Sequence, residues 1–327
     1  LQKKIFKSFI LKSEIVEHLI PEKMKFEWKG VFPAVTTKFT DDDQLDFDAF
    51  NLNLKAQLDA GVDGIILGGS LGEASTLLQE EKDALLIHTV KAVAGKVPVL
   101  MNVAEQSTKA AIEAAIRARD NGADGLMLLP PMRYTSDDRE TVTFLRAVAQ
   151  ATDLPIILYN NPADYKIWIS PDMFRQLEDL PTIQAVKEST RDISNVTRMK
   201  NEFGDRIAVL TGVDTLGMES LLMGADGWVA GLVCAFPRET VAIYRLIKAG
   251  KIQEALKIYR WFLPVLELDV STKLVQNIKL AETLTGLGNE NVRAPRLPLI
   301  GAERERILSI LNKALAVRPE LPDYLNL

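Results

Sequence analysis

The chain has 327 residues, 47% of them hydrophobic and 25% charged, with a formal net charge of −5. That apolar content fills one large core, or a core plus an appendage, and excludes disordered, collagen-like and low-complexity classes. An acidic chain without a Lys/Arg block lacks the footprint of phosphate-backbone binding, so no nucleic-acid partner is expected.

One cysteine, Cys234, cannot close an intramolecular disulfide, and His18 and His88 stand far apart without ligand-spaced neighbours. Zinc clusters and Ser-His-Asp triads are disfavoured, and no metal is expected. Residues 1 to 23, LQKKIFKSFILKSEIVEHLIPEK, alternate basic and apolar positions. They lack the apolar run of about 7 residues and the cleavage site of a signal peptide, and no later segment reaches the ~18 apolar residues of a membrane span. Residues 1–29 are therefore set apart as an N-terminal extension: a poorly ordered arm, a small docking helix, or sequence upstream of a start at Met24. A cytoplasmic protein without a membrane partner is expected.

Eight short runs rich in Val, Ile, Leu and Gly follow in order: 30–39, 61–70, 97–104, 123–131, 154–161, 183–190, 207–214 and 226–234. Between them lie stretches such as FDAFNLNLKAQLDAG and STKAAIEAAIRARDNG, with apolar residues at i, i+3, i+4 and i+7, the pattern of one helix face. Continuous apolarity in the runs indicates strands covered on both sides, as in a parallel sheet. Eight βα units predict an α/β fold, a (β/α)8 TIM barrel over residues 30–249. An open doubly wound sheet is the alternative, but no G-x-G-x-x-G follows the first strand. Residues 250–327 read as a C-terminal helical appendage of about three helices, with GLGNENVRAPRLPLIG (286–301) separating the last two.

Barrels of this kind place their chemistry at the C-terminal ends of strands. Strand six ends in Ala185-Val186-Lys187-Glu188-Ser189, and alternation sets Ala185, Lys187 and Ser189 on one face. If that face is the interior, desolvation lowers the lysine pKa and leaves a free amine to form a Schiff base. A strand-end lysine is more often solvated or paired, so position alone does not assign it. Tyr159, ending strand five, could relay protons or simply pack. The loop Gly68-Gly69-Ser70-Leu71-Gly72-Glu73 offers backbone amides to an anion, or is merely a tight turn in which Glu73 accepts loop hydrogen bonds.

Together, G-S-L-G-E after strand two, Y-N-N-P after strand five and V-K-E-S-T-x-D after strand six resemble the dihydrodipicolinate synthase / N-acetylneuraminate lyase superfamily of Schiff-base class I aldolases. The resemblance implies Lys187 as the Schiff-base lysine, with Tyr159 and Ser70 as proton-relay partners. It implies a carboxylate-bearing small-molecule substrate on the amides of Ser70 and Leu71, beside Gly69. Gly212 and Gly231, at the ends of strands seven and eight, could line the pocket or form a phosphate cup, and a carboxylate substrate at the mouth favours the first. No cofactor is implied, since the lysine is the electron sink, and a homo-oligomer, dimer or tetramer, is implied. The departures are specific. Leu71 replaces a second hydroxyl residue, Pro130-Pro131-Met132-Arg133-Tyr134 replaces a tyrosine pair, and Ala163-Asp164-Tyr165-Lys166 stands where an arginine holds the aldehyde substrate's carboxylate. Without that arginine a bidentate clamp is missing, unless Lys166 or Arg133 substitutes, and the relay must be built from Tyr159, Ser70 and water.

Within the superfamily, LPIILYNNPADYKIWIS, GADGWVAGLVCAFPRE and LVQNIKLAETLTGLGNENVRAPRLPL are similar to 1-pyrroline-4-hydroxy-2-carboxylate deaminases of hydroxyproline catabolism. The implied product is 2-oxoglutarate semialdehyde with ammonia. The alternatives are a 4-hydroxy-tetrahydrodipicolinate synthase-like enzyme, a 2-keto-3-deoxy sugar-acid aldolase or dehydratase, and, in another class, a non-catalytic binding barrel. Cys234 is expected in a buried strand, His88 on a helix, and Trp168, Trp228 and Trp261 in the core or an interface.

Overall fold

A computed structural model describes residues 26–327. Residues 1–25, most of the N-terminal extension, lie outside the described residues, and so does His18. Eight strands alternate with helices: β1 Gly30–Pro33, β2 Ile65–Leu67, β3 Val99–Val103, β4 Gly125–Leu128, β5 Ile156–Asn160, β6 Ile183–Glu188, β7 Ala208–Thr211 and β8 Gly227–Ala230. All pair in parallel, in the order β1-β8-β7-β6-β5-β4-β3-β2. A parallel bridge between Ala34 and Ile66 joins β1 to β2 and closes the ring. This is the (β/α)8 TIM barrel.

The helices are α1 Phe47–Asp59, α2 Gln79–Val93, α3 Thr108–Asp120, α4 Asp138–Gln150, α5 Pro162–Tyr165, α6 Pro171–Gln176, α7 Ser194–Phe203, α8 Gly217–Leu222 and α9 Pro237–Lys248. After them come α10 Ile252–Leu266, α11 Leu274–Thr285 and α12 Gly301–Ala316. Their starts follow local chemistry: Asp46, Ser107 and Asp137 each accept a hydrogen bond from an amide of the first turn. The strands are shorter than the apolar runs because each run continues into the loop above its strand, and those loops build the mouth.

Strand alternation divides the apolar residues into two cores. Phe32, Ile66, Leu100, Met127, Ile157, Ala185, Leu210 and Val229 fill the barrel interior. Val31, Ile65, Leu67, Leu126, Ile156, Val186 and Val209 face the helices. Trp28 plugs the bottom of the barrel, stacked on Phe32 with ring centroids 6.0 Å apart. Phe26 also packs against this interior core. A register shift after Ile156 leaves Gln184 out of the ladder, where it accepts from Trp28 Nε1 at 2.9 Å. Beyond the shift, Tyr159 pairs with Lys187.

The helices after residue 250 share the outer core with the barrel. Two ion pairs of zero side-chain exposure fasten α11 to the loops above β1 and β2: Lys38–Glu282 at 2.7 Å and Glu73–Lys279 at 2.5 Å. The boundary at 249/250 thus marks a change of secondary structure within one folded body. Cys234 is buried, in a short 3-10 turn after β8 rather than in the strand. His88 sits on α2 with Nε2 2.7 Å from Asn51 Oδ1. Trp228 is fully buried, whereas Trp168 is half exposed.

Candidate active site

A cavity of about 100 Å³ opens at the C-terminal ends of the strands. Lys187, Tyr159, Gly69, Ser70, Leu71, Gly212 and Gly231 all line it. Lys187 reaches it because Ala185 and Lys187 share the inward face of β6 while Glu188 points outward, accepting from Thr190 N at 2.7 Å and Asn195 Nδ2 at 2.6 Å. Beneath the lysine are the apolar residues of the barrel interior, and only 7% of Lys187 is exposed. Its Nζ stands 4.1 Å from the centre of the Tyr159 ring. Among the described residues no carboxylate lies within ion-pair distance of it. Burial pushes the amine below its ordinary value, because a buried ammonium loses its hydration. Such a lysine supplies a nucleophile.

Each residue of the Y-N-N-P turn has a separate job. Tyr159 enters the cavity, and burial pushes its hydroxyl up to about 12, so it carries its proton. Asn160 staples the loop, donating to Ile169 O at 3.0 Å and accepting from Ile169 N at 2.9 Å. Asn161 caps α5 and donates from Nδ2 to Tyr159 Oη at 3.1 Å and to Asp164 Oδ2 at 2.7 Å. The one-turn helix α5 then delivers Tyr165, whose hydroxyl lies 2.6 Å from Ser70 Oγ and whose ring meets Tyr159 edge-on at 5.4 Å. Sequence alone gives no reason to single out Tyr165, because its position depends on Asn161 and Pro162 starting a helix immediately after the strand. The tyrosine couple is therefore built within one loop. Tyr134, above β4, is 54% exposed and not on the cavity wall.

The β2 loop is held from behind. Glu73 adopts a left-handed φ of 56° and is fully buried, accepting from Lys279 Nζ and, at 3.1 Å, from Arg293 N. Its carboxylate is structural, and it anchors the turn that presents Ser70 and Leu71. Among the described residues the amides of Ser70 and Leu71 meet no acceptor, which leaves both donors for an anion.

Gly212 and Gly231 are small because side chains approach them. A Cβ on Gly212 would stand 2.2 Å from Ser189 Oγ and 2.6 Å from Lys187 Cγ. A Cβ on Gly231 would stand 2.7 Å from Asp269 Oδ1. Asp269, just beyond α10, has no motif around it in the sequence, and only the fold brings it to the mouth. Asp214 also lies behind β8, accepting from Trp228 Nε1 at 3.0 Å, Gly231 N at 3.1 Å and Leu232 N at 2.7 Å. Arg191 is the guanidinium of the cavity wall and faces Asp164 at 4.0 Å. Lys166 turns away, donating to Ala163 O at 2.7 Å, and Arg133 does not line the cavity.

The profile of the dihydrodipicolinate synthetase family matches residues 27–314. The chain belongs to this family. It is 34% identical over 273 residues to a 4-hydroxy-tetrahydrodipicolinate synthase of Exiguobacterium sibiricum, covering 84% of this chain and 92% of that one. It is 30% identical over 287 residues to the protein of the same name from Methanothrix thermoacetophila, covering 88% and 97%. The solved structure of the 4-hydroxy-tetrahydrodipicolinate synthase from Methylacidiphilum fumariolicum SolV superposes with a TM-score of 0.83 at 28% identity, over 89% of this chain and 98% of that one. The protein is thus an enzyme of this aldolase superfamily. The names of these relatives agree with the first alternative activity expected from sequence, and none of them names the deaminase. Among the described residues no helix is long and apolar enough to cross a membrane.

Proposed function

We propose that the protein is a Schiff-base deaminase that converts 1-pyrroline-4-hydroxy-2-carboxylate and water to 2-oxoglutarate semialdehyde and ammonia. The observation that carries this reading is the pair of carboxyl groups on the cavity wall around Lys187. Asp164 and Asp269 line the cavity, and its one guanidinium, Arg191, is opposed by Asp164. That wall suits the ring-opened intermediate, whose amine on C5 is remote from the carboxylate, better than a substrate with a second carboxylate to clamp.

In this reading the substrate carboxylate sits on the amides of Ser70 and Leu71. Neutral Lys187 attacks C2 of the ring imine, and the C2–N bond breaks to leave a primary amine on C5. The lysine Schiff base acidifies C3, the C4 hydroxyl leaves as water, and the double bond moves to make an imine at C5. Two waters then hydrolyse C5 and C2, so that one water is consumed in net. Tyr159, Tyr165 and Ser70 carry protons between these atoms. The resemblance also carries a homo-oligomer, dimer or tetramer, into this proposal.

A second reading, 4-hydroxy-tetrahydrodipicolinate synthase, is favoured by the names of the relatives. One experiment separates the two. Purified protein is given 1-pyrroline-4-hydroxy-2-carboxylate and, separately, pyruvate with aspartate semialdehyde. Ammonia release in the first mixture is the expected result. Pyruvate-dependent consumption of the aldehyde without ammonia release in the first would replace the deaminase by the synthase.

A further inference from the structure

Three carboxylates act on Lys187, and two of them are already engaged. Asp214 spends its oxygens on Trp228, Gly231 and Leu232. Asp164 accepts from Asn161, faces Arg191 and is largely exposed. Among the described residues none donates a hydrogen bond to the carboxyl of Asp269. The turn that carries it is nevertheless fixed: Leu268 N donates to Val265 O at 3.0 Å, Asp269 N to Leu266 O at 3.1 Å, and Asn277 Nδ2 to Leu268 O at 3.0 Å. Ser189, only 2% exposed, lines the same wall beside Tyr159. A carboxyl on a fixed turn that lines the cavity and accepts no hydrogen bond from the described residues is a group kept for a ligand.

We propose that Asp269 is the acid–base residue for the nitrogen of the substrate. The inference rests on the deaminase reading and specifies it. As the C2–N bond breaks, its electron pair stays on nitrogen, and the new C5 amine takes a proton from the Asp269 carboxyl. Ammonium and carboxylate are left paired on the β8 side of the cavity, opposite Tyr159 and Tyr165. When water adds to the C5 iminium, the carboxylate takes the proton released by that water, so Asp269 ends as it began. Burial, with the like charges of Asp214 and Asp164, holds the Asp269 carboxyl well above the usual carboxylate range, while Lys187 and Arg191 oppose this. That direction favours the protonated carboxyl, the form a general acid requires. The close approach of Asp269 also accounts for glycine at 231.

The test compares wild type with Asp269→Asn and Asp269→Glu on 1-pyrroline-4-hydroxy-2-carboxylate, measuring ammonia release and the borohydride-trapped substrate adduct at Lys187 by mass spectrometry. Asp269→Asn is expected to form the trapped adduct more slowly than wild type, and its ammonia turnover to fall about 10²–10⁴-fold. Asp269→Glu, which keeps the proton, is expected to retain part of the rate and guards against a variant that merely misfolds. Ammonia turnover of Asp269→Asn within threefold of wild type would overturn the inference and leave the deaminase reading standing. Equal loss of ammonia turnover in Asp269→Asn and Asp269→Glu, with both variants folded, would also overturn it, since a carboxyl at that position would then restore no proton transfer. Wild type that traps substrate but releases no ammonia would overturn the deaminase reading and the inference with it.

Discussion

Lys187 and Lys279 are both buried, and they stand in opposite surroundings. Lys279 has a carboxylate at 2.5 Å, Glu73, and lies 4.7 Å from the centre of the Phe39 ring. Lys187 has an aromatic ring at 4.1 Å and no paired carboxylate among the described residues. Burial lowers both amines, and for Lys279 the Glu73 carboxylate works against that loss, leaving it at about 8. The contrast teaches what a buried cation is for in this barrel. Given a partner, it joins two segments distant in the chain, here α11 and the β2 loop. Denied one, its amine is lowered by burial and stands outside any ion pair, as a nucleophile must.

The largest expected effect breaks the reactive half of this comparison. Lys187→Ala should lower ammonia release by at least about 10⁴-fold, as loss of a covalent nucleophile does, and abolish borohydride trapping. The fold should remain, because the truncation leaves no buried carboxylate without its partner; circular dichroism and the melting temperature check this. Breaking the other half should have the reverse signature. Lys279→Met strands Glu73 in the interior and should cost about 3–5 kcal/mol in urea unfolding. The double variant Glu73→Leu/Lys279→Met should recover a large part of that cost, since removing both charges removes the uncompensated one. If the single and double variants were equally unstable, the pair would not be the joint described.

How much of this is legible in sequence follows from the same distinction. Alternation along β6 and the eight βα repeats are local patterns, so the barrel and the shared face of Ala185, Lys187 and Ser189 are readable from the residues themselves, but not that this face points inward. Tyr159, Ser70 and the glycines are readable because short motifs flank them. Asp269, Tyr165 and the Glu73–Lys279 pair are not. Asp269 reaches the mouth only after the chain has left the barrel and turned back, and Lys279 meets its partner 206 residues away. No periodicity encodes such contacts. The packing of Phe26 and Trp28 on Phe32 is likewise illegible, because they precede the first apolar run and no motif flanks them.

A smaller change should sharpen the comparison without removing either lysine. Gly212→Ala puts a methyl 2.6 Å from Lys187 Cγ and 2.7 Å from its Cε, so the side chain must shift. A displacement of about 1 Å at a nucleophile costs on the order of 10²-fold in rate. We expect that loss in kcat, with unfolding free energy changed far less than in Lys279→Met. An unaltered kcat would mean that Lys187 has freedom the cavity wall does not indicate.

The mildest perturbation is pH, and it distinguishes the two lysines by sign and by observable. The protonated form of Lys187 cannot attack, so the limb of kcat/KM governed by this lysine should rise as it deprotonates, by tenfold per pH unit below its pKa. Because burial lowers that pKa, the midpoint should fall below 10.5, the ordinary value for lysine. Tyr159, held at about 12, keeps its proton across this range and should add no falling limb before strongly alkaline pH. Lys279 contributes to stability rather than to attack on the substrate, so Lys279→Met should lower the melting temperature and leave the midpoint of the rising limb in place. A midpoint that moved with Lys279→Met would mean that the joint and the nucleophile titrate together, and the division between the two buried lysines would fail.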